Sequence, residues 1–483
     1  MRRSASVLAL VALTLAAGSL SASAQMQTIG APPEAKNMRL VGYHDLQHRS
    51  AYQPTIVHQG ARWIAYIGHH GGTNETPKPL NPLTGNTEDN GTSIVDVTDP
   101  TRPKYLHHIP GEPGLAEQGG AQMARVCAGS TLPKGDPQKY YLLRTFGNSA
   151  HEIWDVSDPA NPKLLTRIEG LKGTHKNWWE CGTGIAYLVS GAPGWRTNRM
   201  TQVYDLSDPA HPVKIRDFGL PGQEPGSTGS VPTALHGMIS TGPERNRIYF
   251  GYGTDNGGIV QIVDRRKLLE GPKEPTPENL RYPVVGQLVM SPLAGAHTTF
   301  PLGRMPIAEF AKDKEGAFRN MIMVVGEQLK NDCQAGETRQ MVYFVDATDE
   351  SHPMVVSHYT VREQSGQFCE RGGRFGSHAS NESMDPVFYR KLAFISWFNA
   401  GVRALDVRDP YSPREVGYFI PSITAATDKR CIKVDGIDRC KIAIQTNNVE
   451  TDDRGYIYIV DRANTGLHIL ELAGEARAIA GLP

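Results

Sequence analysis

What this 483-residue chain lacks narrows it first. It has no surplus of charge: 50 basic and 50 acidic side chains cancel, and no basic stripe runs along it. Nucleic acid and anionic membrane surfaces select for concentrated positive charge, so neither is an expected partner. Beyond residue 24 no apolar run approaches the roughly 20 residues that cross a bilayer, so no membrane insertion is expected. No Cys-x-x-Cys occurs, which argues against a thiolate metal site. Gly-x-Ser-x-Gly and His-Glu-x-x-His are also missing, which removes the nucleophile elbow and the helical zinc motif. The glycine-rich GYGTDNGG at 251–258 has no helix after it and reads as a hairpin turn between strands rather than a phosphate cradle.

What is present is a repeated phrase: an apolar run ending in Asp, a short polar stretch, then Asp-Pro. It reads IVDVTDP, IWDVSDP, VYDLSDP, FVDATDE and ALDVRDP, with degenerate copies IVDRRK and ILEL. The anchor acids are Asp96, Asp155, Asp205, Asp264, Asp346, Asp406 and Glu471, spaced 59, 50, 59, 82, 60 and 65 residues apart. β-Branched and aromatic residues favour a strand, and Asp-Pro ends it in a turn. Apolar runs on both sides of each copy supply further strands. Four short antiparallel strands per unit, repeated about an axis, predict an all-β, seven-bladed β-propeller. The last unit is one strand short, and MRLVGYH near the N-terminus supplies it. Residues 38–43 are therefore expected to pair with 467–472 and close the ring, removing an exposed edge.

The expected layout is a signal peptide at 1–24, an N-terminal tail at 25–37, the propeller at 38–474 and a C-terminal tail at 475–483. Arg2-Arg3, an apolar stretch and Ala22-Ser23-Ala24 make the secretory signal, which implies a periplasmic or secreted protein. Six cysteines suit an oxidising compartment. Cys431 and Cys440 flank an Asp-Gly turn and form the clearest pair. The pairing of Cys127, Cys181, Cys333 and Cys369 stays open, because spacing does not fix connectivity.

Aligning the units at their first strand puts a histidine in the same place four times: His175, His236, His297 and His378, at intervals of 61, 61 and 81 residues. In three of the four, glycine stands two residues earlier. First strands line the central channel, so four consecutive blades would aim imidazoles at one axis. Gln53, Gln122 and Asn447 or Asn448 occupy the matching place in the other units. An all-nitrogen donor set suits copper first, Fe(II) next and zinc third. Glu180, Glu382 and Glu450 follow the inner strands. Glu180 and Glu382 are the candidate catalytic carboxylates that orient ligand nitrogens, whereas Glu450 reads as a solvated strand end. Lys176 and Arg374 border ring histidines and are candidates for an anionic substrate. His69-His70 reads as turn-adjacent, and His107 and His108 as exposed on an outer strand.

The VDVTDPxxP phrases resemble the LVIVD-repeat family of bacterial exported β-propellers across most of 38–474. YFIPS after DVRDPYSPREVG is similar to a stretch of the selenium-binding protein and methanethiol oxidase family, copper-linked propellers whose cysteine motifs this chain lacks. The four-histidine arrangement is similar in kind to the iron site of carotenoid and stilbene cleavage oxygenases. Two functions are expected from this. One is an exported copper or iron oxidoreductase acting on a small organic or sulfur substrate. The other is a non-catalytic cell-envelope scaffold whose long loops hold a protein partner.

Overall fold

A computed structural model describes residues 27–73 and 78–482; the expected signal peptide lies outside them. Seven antiparallel sheets form seven blades, and an eighth, two-stranded sheet is a separate hairpin. Blade 1 runs outward from the axis as Ala51–Gln59, Arg62–His70, Gly91–Asp96 and Lys104–Pro110. Blades 2 to 5 follow at 124–168, 177–218, 235–289 and 298–359. In blade 6 the inner segment is bonded to Leu392–Ser396 through His378 N to Ser396 O (3.0 Å) and Asn381 N to Phe394 O (3.0 Å). Blade 7 comprises Thr446–Thr451, Ile457–Asp461 and Leu467–Leu472, and its outer strand is Met38–His44. The ring closes as the sequence implies.

The repeated phrase has a mechanical cause. In five blades the first Asp accepts a hydrogen bond from the backbone N–H two residues on: Thr98, Ser157, Ser207, Thr348 and Arg408, at 2.8 to 3.2 Å. The second Asp repeats this with Thr101, Ala160, Ala210, Ser351 and Tyr411. Two successive Asx turns thus stop the third strand and start the fourth. The register also slips at the apolar pair before the Asp, as at Ile94/Val95 and Ile153/Trp154, a bulge that strengthens blade twist. In the degenerate copy, Asp264 instead caps the helix Arg265–Glu270, accepting from Lys267 N at 2.9 Å.

The core is divided into wedges. Seven apolar clusters lie one between each pair of neighbouring blades, including blades 7 and 1, where Tyr458 and Val460 meet Leu46, Ala51 and Ile67. Burial of these faces holds the toroid together. Both segments read as tails carry structure: Glu34–Lys36 adds an edge strand to blade 6, and the helix Gly474–Ala480 buries Ala476 and Ala480 against blades 6 and 7. Disulfides join Cys127–Cys181, Cys333–Cys369 and Cys431–Cys440. The first links blades 2 and 3, and the last clasps the hairpin Lys429–Val434/Ile437–Ile442. Among the described residues no helix is long and apolar enough to cross a membrane.

Candidate metal centre

Each ring histidine stands at the start of its inner strand, so equal register places all four at one level of the channel. The glycine two residues earlier lets neighbouring backbone approach. A Cβ on Gly295 would lie 2.0 Å from Thr254 O, and Gly173 has φ +61° with Asn198 O 2.6 Å from where a Cβ would sit. All four histidines are buried. Their rings form a continuous chain, with centroids 4.7 Å apart for His175–His236, 3.5 Å for His236–His297 and 4.6 Å for His297–His378. The Nε2 atoms of His175 and His236 are 2.8 Å apart. Tyr52 OH lies 3.2 Å from His175 Nε2.

Two tautomers follow from the acceptors. His236 Nδ1 is 2.9 Å from the carbonyl of His297, and His378 Nδ1 is 2.5 Å from that of Asn447. A carbonyl only accepts, so each Nδ1 carries the hydrogen and each Nε2 keeps its lone pair. This is how metal-binding imidazoles are usually held. The Nε2 atoms of His297 and His378 have no hydrogen-bond partner among the described residues. Burial lowers the pKa of all four well below 6.5, aided by nearby positive groups such as Arg199 for His175 and Lys176 for His236. They are neutral donors at neutral pH.

A carboxylate that sequence reasoning missed joins them. Glu327 lies 3.6 Å from both His297 Nε2 and His378 Nε2. Potential ligand atoms of His236, His297 and Glu327 all fall within 4.8 Å of one another. The tightest donor set is thus two imidazoles and a carboxylate, flanked by His175 and His378. Burial raises the Glu327 pKa, against the pull of Arg374 and Arg462. The signal for it was the ending of MIMVVGE, where the second strand of blade 5 leads directly into an acid.

The other candidate residues are placed elsewhere. Glu180 is not brought to the ring; its bonds go to Arg265 (2.7 Å), Tyr187 (2.9 Å), Ser240 and Thr183, an ion-paired network between blades 3 and 4. Glu382 sits one layer further down the channel, paired with Lys176 at 2.8 Å and with Arg125. Burial would raise its carboxyl, but those two cations hold it at about 2. Neither glutamate contacts a ring histidine among the described contacts, so neither orients a ligand nitrogen directly. Glu450, expected at a solvated end, is buried and accepts from the N–H of Glu382 and Ser383, both 3.1 Å. Burial pushes it up to about 7. Lys176 and Arg374 are both engaged, with Glu382 and with Glu327 (2.8 Å).

His70, read first as turn-adjacent with the channel mouth as the alternative, lies at that mouth, 3.2 Å from Glu117 and 3.0 Å from Arg462. His108, expected to be exposed, is buried against Glu88 at 2.7 Å. The three units without a ring histidine close the circle with amides: Gln53 and Asn448 meet at 2.6 Å, and Gln122 bonds to the Glu117 carbonyl at 3.0 Å.

No family model matches the chain, and no curated protein does. It is similar in fold to solved propellers. The Myceliophteria thermophila Cps50 (Swd1) β-propeller domain superposes with a TM-score of 0.47 at 9% identity, covering 91% of this chain and 100% of that one. Chaetomium thermophilum Sqt1 gives 0.46 at 9% identity, covering 91% and 98%. At these values the likeness concerns the β-propeller fold alone.

Proposed function

We propose that this protein is an exported β-propeller holding one transition-metal ion at its axis, and that the ion serves an oxidoreductase acting on a small organic or sulfur substrate. The observation that carries the reading is the convergence of neutral imidazoles with Nδ1 hydrogens committed to backbone carbonyls, beside a buried carboxylate. Buried polar atoms without partners are costly, and the free Nε2 atoms of His297 and His378 are explained by a cation they would ligate. An all-nitrogen set favoured copper. Glu327 adds oxygen, and two histidines with one carboxylate suit Fe(II), so iron now ranks beside copper, with zinc third. Such an ion supplies redox or Lewis-acid chemistry to a substrate at an open position. Three disulfides fit the periplasmic or secreted location.

The second reading is a binding scaffold. It is favoured by the hairpin 429–442, which is braced by Cys431–Cys440 and has Ile437 68% exposed, and by a fold shared with propellers at large. Metal analysis after anaerobic reconstitution with Fe(II), Cu(II) and Zn(II) separates the two. The expected result is about one ion per chain, lost in His236→Ala/His297→Ala with the fold intact by circular dichroism. A folded wild type that retains none of the three leaves the scaffold reading.

A further inference from the structure

Charged side chains from several blades converge at the channel mouth. Three guanidinium groups, from Arg199, Arg374 and Arg462, meet two carboxylates, Glu117 and Glu327. Among these five side chains the guanidinium groups outnumber the carboxyl groups by one.

One donor is left over as well. The Arg462 side chain is only 9% exposed. Its Nη2 is 3.0 Å from both Glu117 and His70. Its Nη1 has no hydrogen-bond partner among the described residues and faces Glu327 across 3.7 Å. Arg374 and Arg199, with side chains 22% and 24% exposed, open the same place to solvent. Arginine forks match planar pairs of oxygens better than any other side chain. We propose that this mouth binds a small oxyanion, specifically a monocarboxylate, on Arg462, Arg374 and Arg199 directly above the histidine ring. The inference rests on the metal reading for the substrate's role, but not for anion binding itself.

Calorimetric titration of the mature full chain, apo and metal-loaded, tests this, with acetate and benzoate in one arm and phosphate and sulfate in the other. Metal content is measured on the same samples. Carboxylates are expected to bind both forms, more tightly when metal is present. Arg462→Met should weaken them roughly tenfold, the loss of one charge-assisted hydrogen bond, with metal content unchanged. If that variant misfolds, Arg199→Met on the open rim should weaken binding by a smaller factor. No heat with any of the four anions in protein that carries its metal overturns the anion site and spares the metal reading. Tighter binding of phosphate or sulfate overturns the carboxylate assignment. Carboxylate binding by protein that takes up no metal supports the anion site while removing the metal reading.

Discussion

His236 and His378 show how one backbone contact decides a side chain's chemistry. A carbonyl opposite Nδ1 fixes the tautomer and leaves Nε2 as a lone-pair donor on the axis. Glu327 matters as much, because it faces His297 and His378 at equal distance and is tied to Arg374. Glu327→Gln keeps the shape and removes the charge. Metal affinity is expected to fall by about 10- to 100-fold with the fold retained, read by competition with a chelator. Affinity equal to wild type would take Glu327 out of the site. The four histidines were legible because blade period and strand register are sequence properties. Glu327 was not, since it follows a second strand and reaches the axis only through the turn that brings it inward.

Among the elements, Met38–His44 has the largest effect for its length. Its hydrogen-bonded ladder with Leu467–Leu472 ties the N-terminal segment to the last blade and so turns an open row of blades into a ring. Met38 also packs with Leu470 and Leu472. Deleting residues up to 45 removes that ladder, at about 1 kcal/mol net per hydrogen bond, and exposes an edge. The midpoint of urea denaturation should fall sharply and the protein should associate, as seen by light scattering. An unchanged midpoint would show that closure resides elsewhere. The paired Asx turns explain why the phrase was readable: each is local, spanning two residues, so its letters recur wherever the turn does. Glu34–Lys36 carries no such letters and gains strand form only from the edge of blade 6.

For the whole molecule, buried neutral histidines set the response to acid. Off the axis, burial lowers His151 and His468 to about 4. Their unfolded value is about 6.5, so the unfolded chain takes up protons first as pH falls. The stabilisation is complete above about 6.5 and is lost between there and 4, about 3 kcal/mol for each residue. Glu450, raised to about 7, acts oppositely between about 4.5 and 7, because the folded state holds its proton. The histidines outnumber it. Urea midpoints are therefore expected to decline from about pH 6.5 to pH 5, before the carboxylate ion pairs begin to titrate. A profile that is flat or rises toward acid would contradict this balance.

Blade number, ring closure and the level of the four imidazoles were determined by the sequence alone, because each depends on local turns and a counted period. The third dimension decided what surrounds those imidazoles. Glu117, Glu327, Arg199 and Arg462 come from loops and strand ends of four different blades, far apart along the chain. Their meeting exists only once the ring is closed. The same dependence turned Glu180 and Glu382 to arginine and lysine partners, since a buried carboxylate goes to the nearest cation that compensates it.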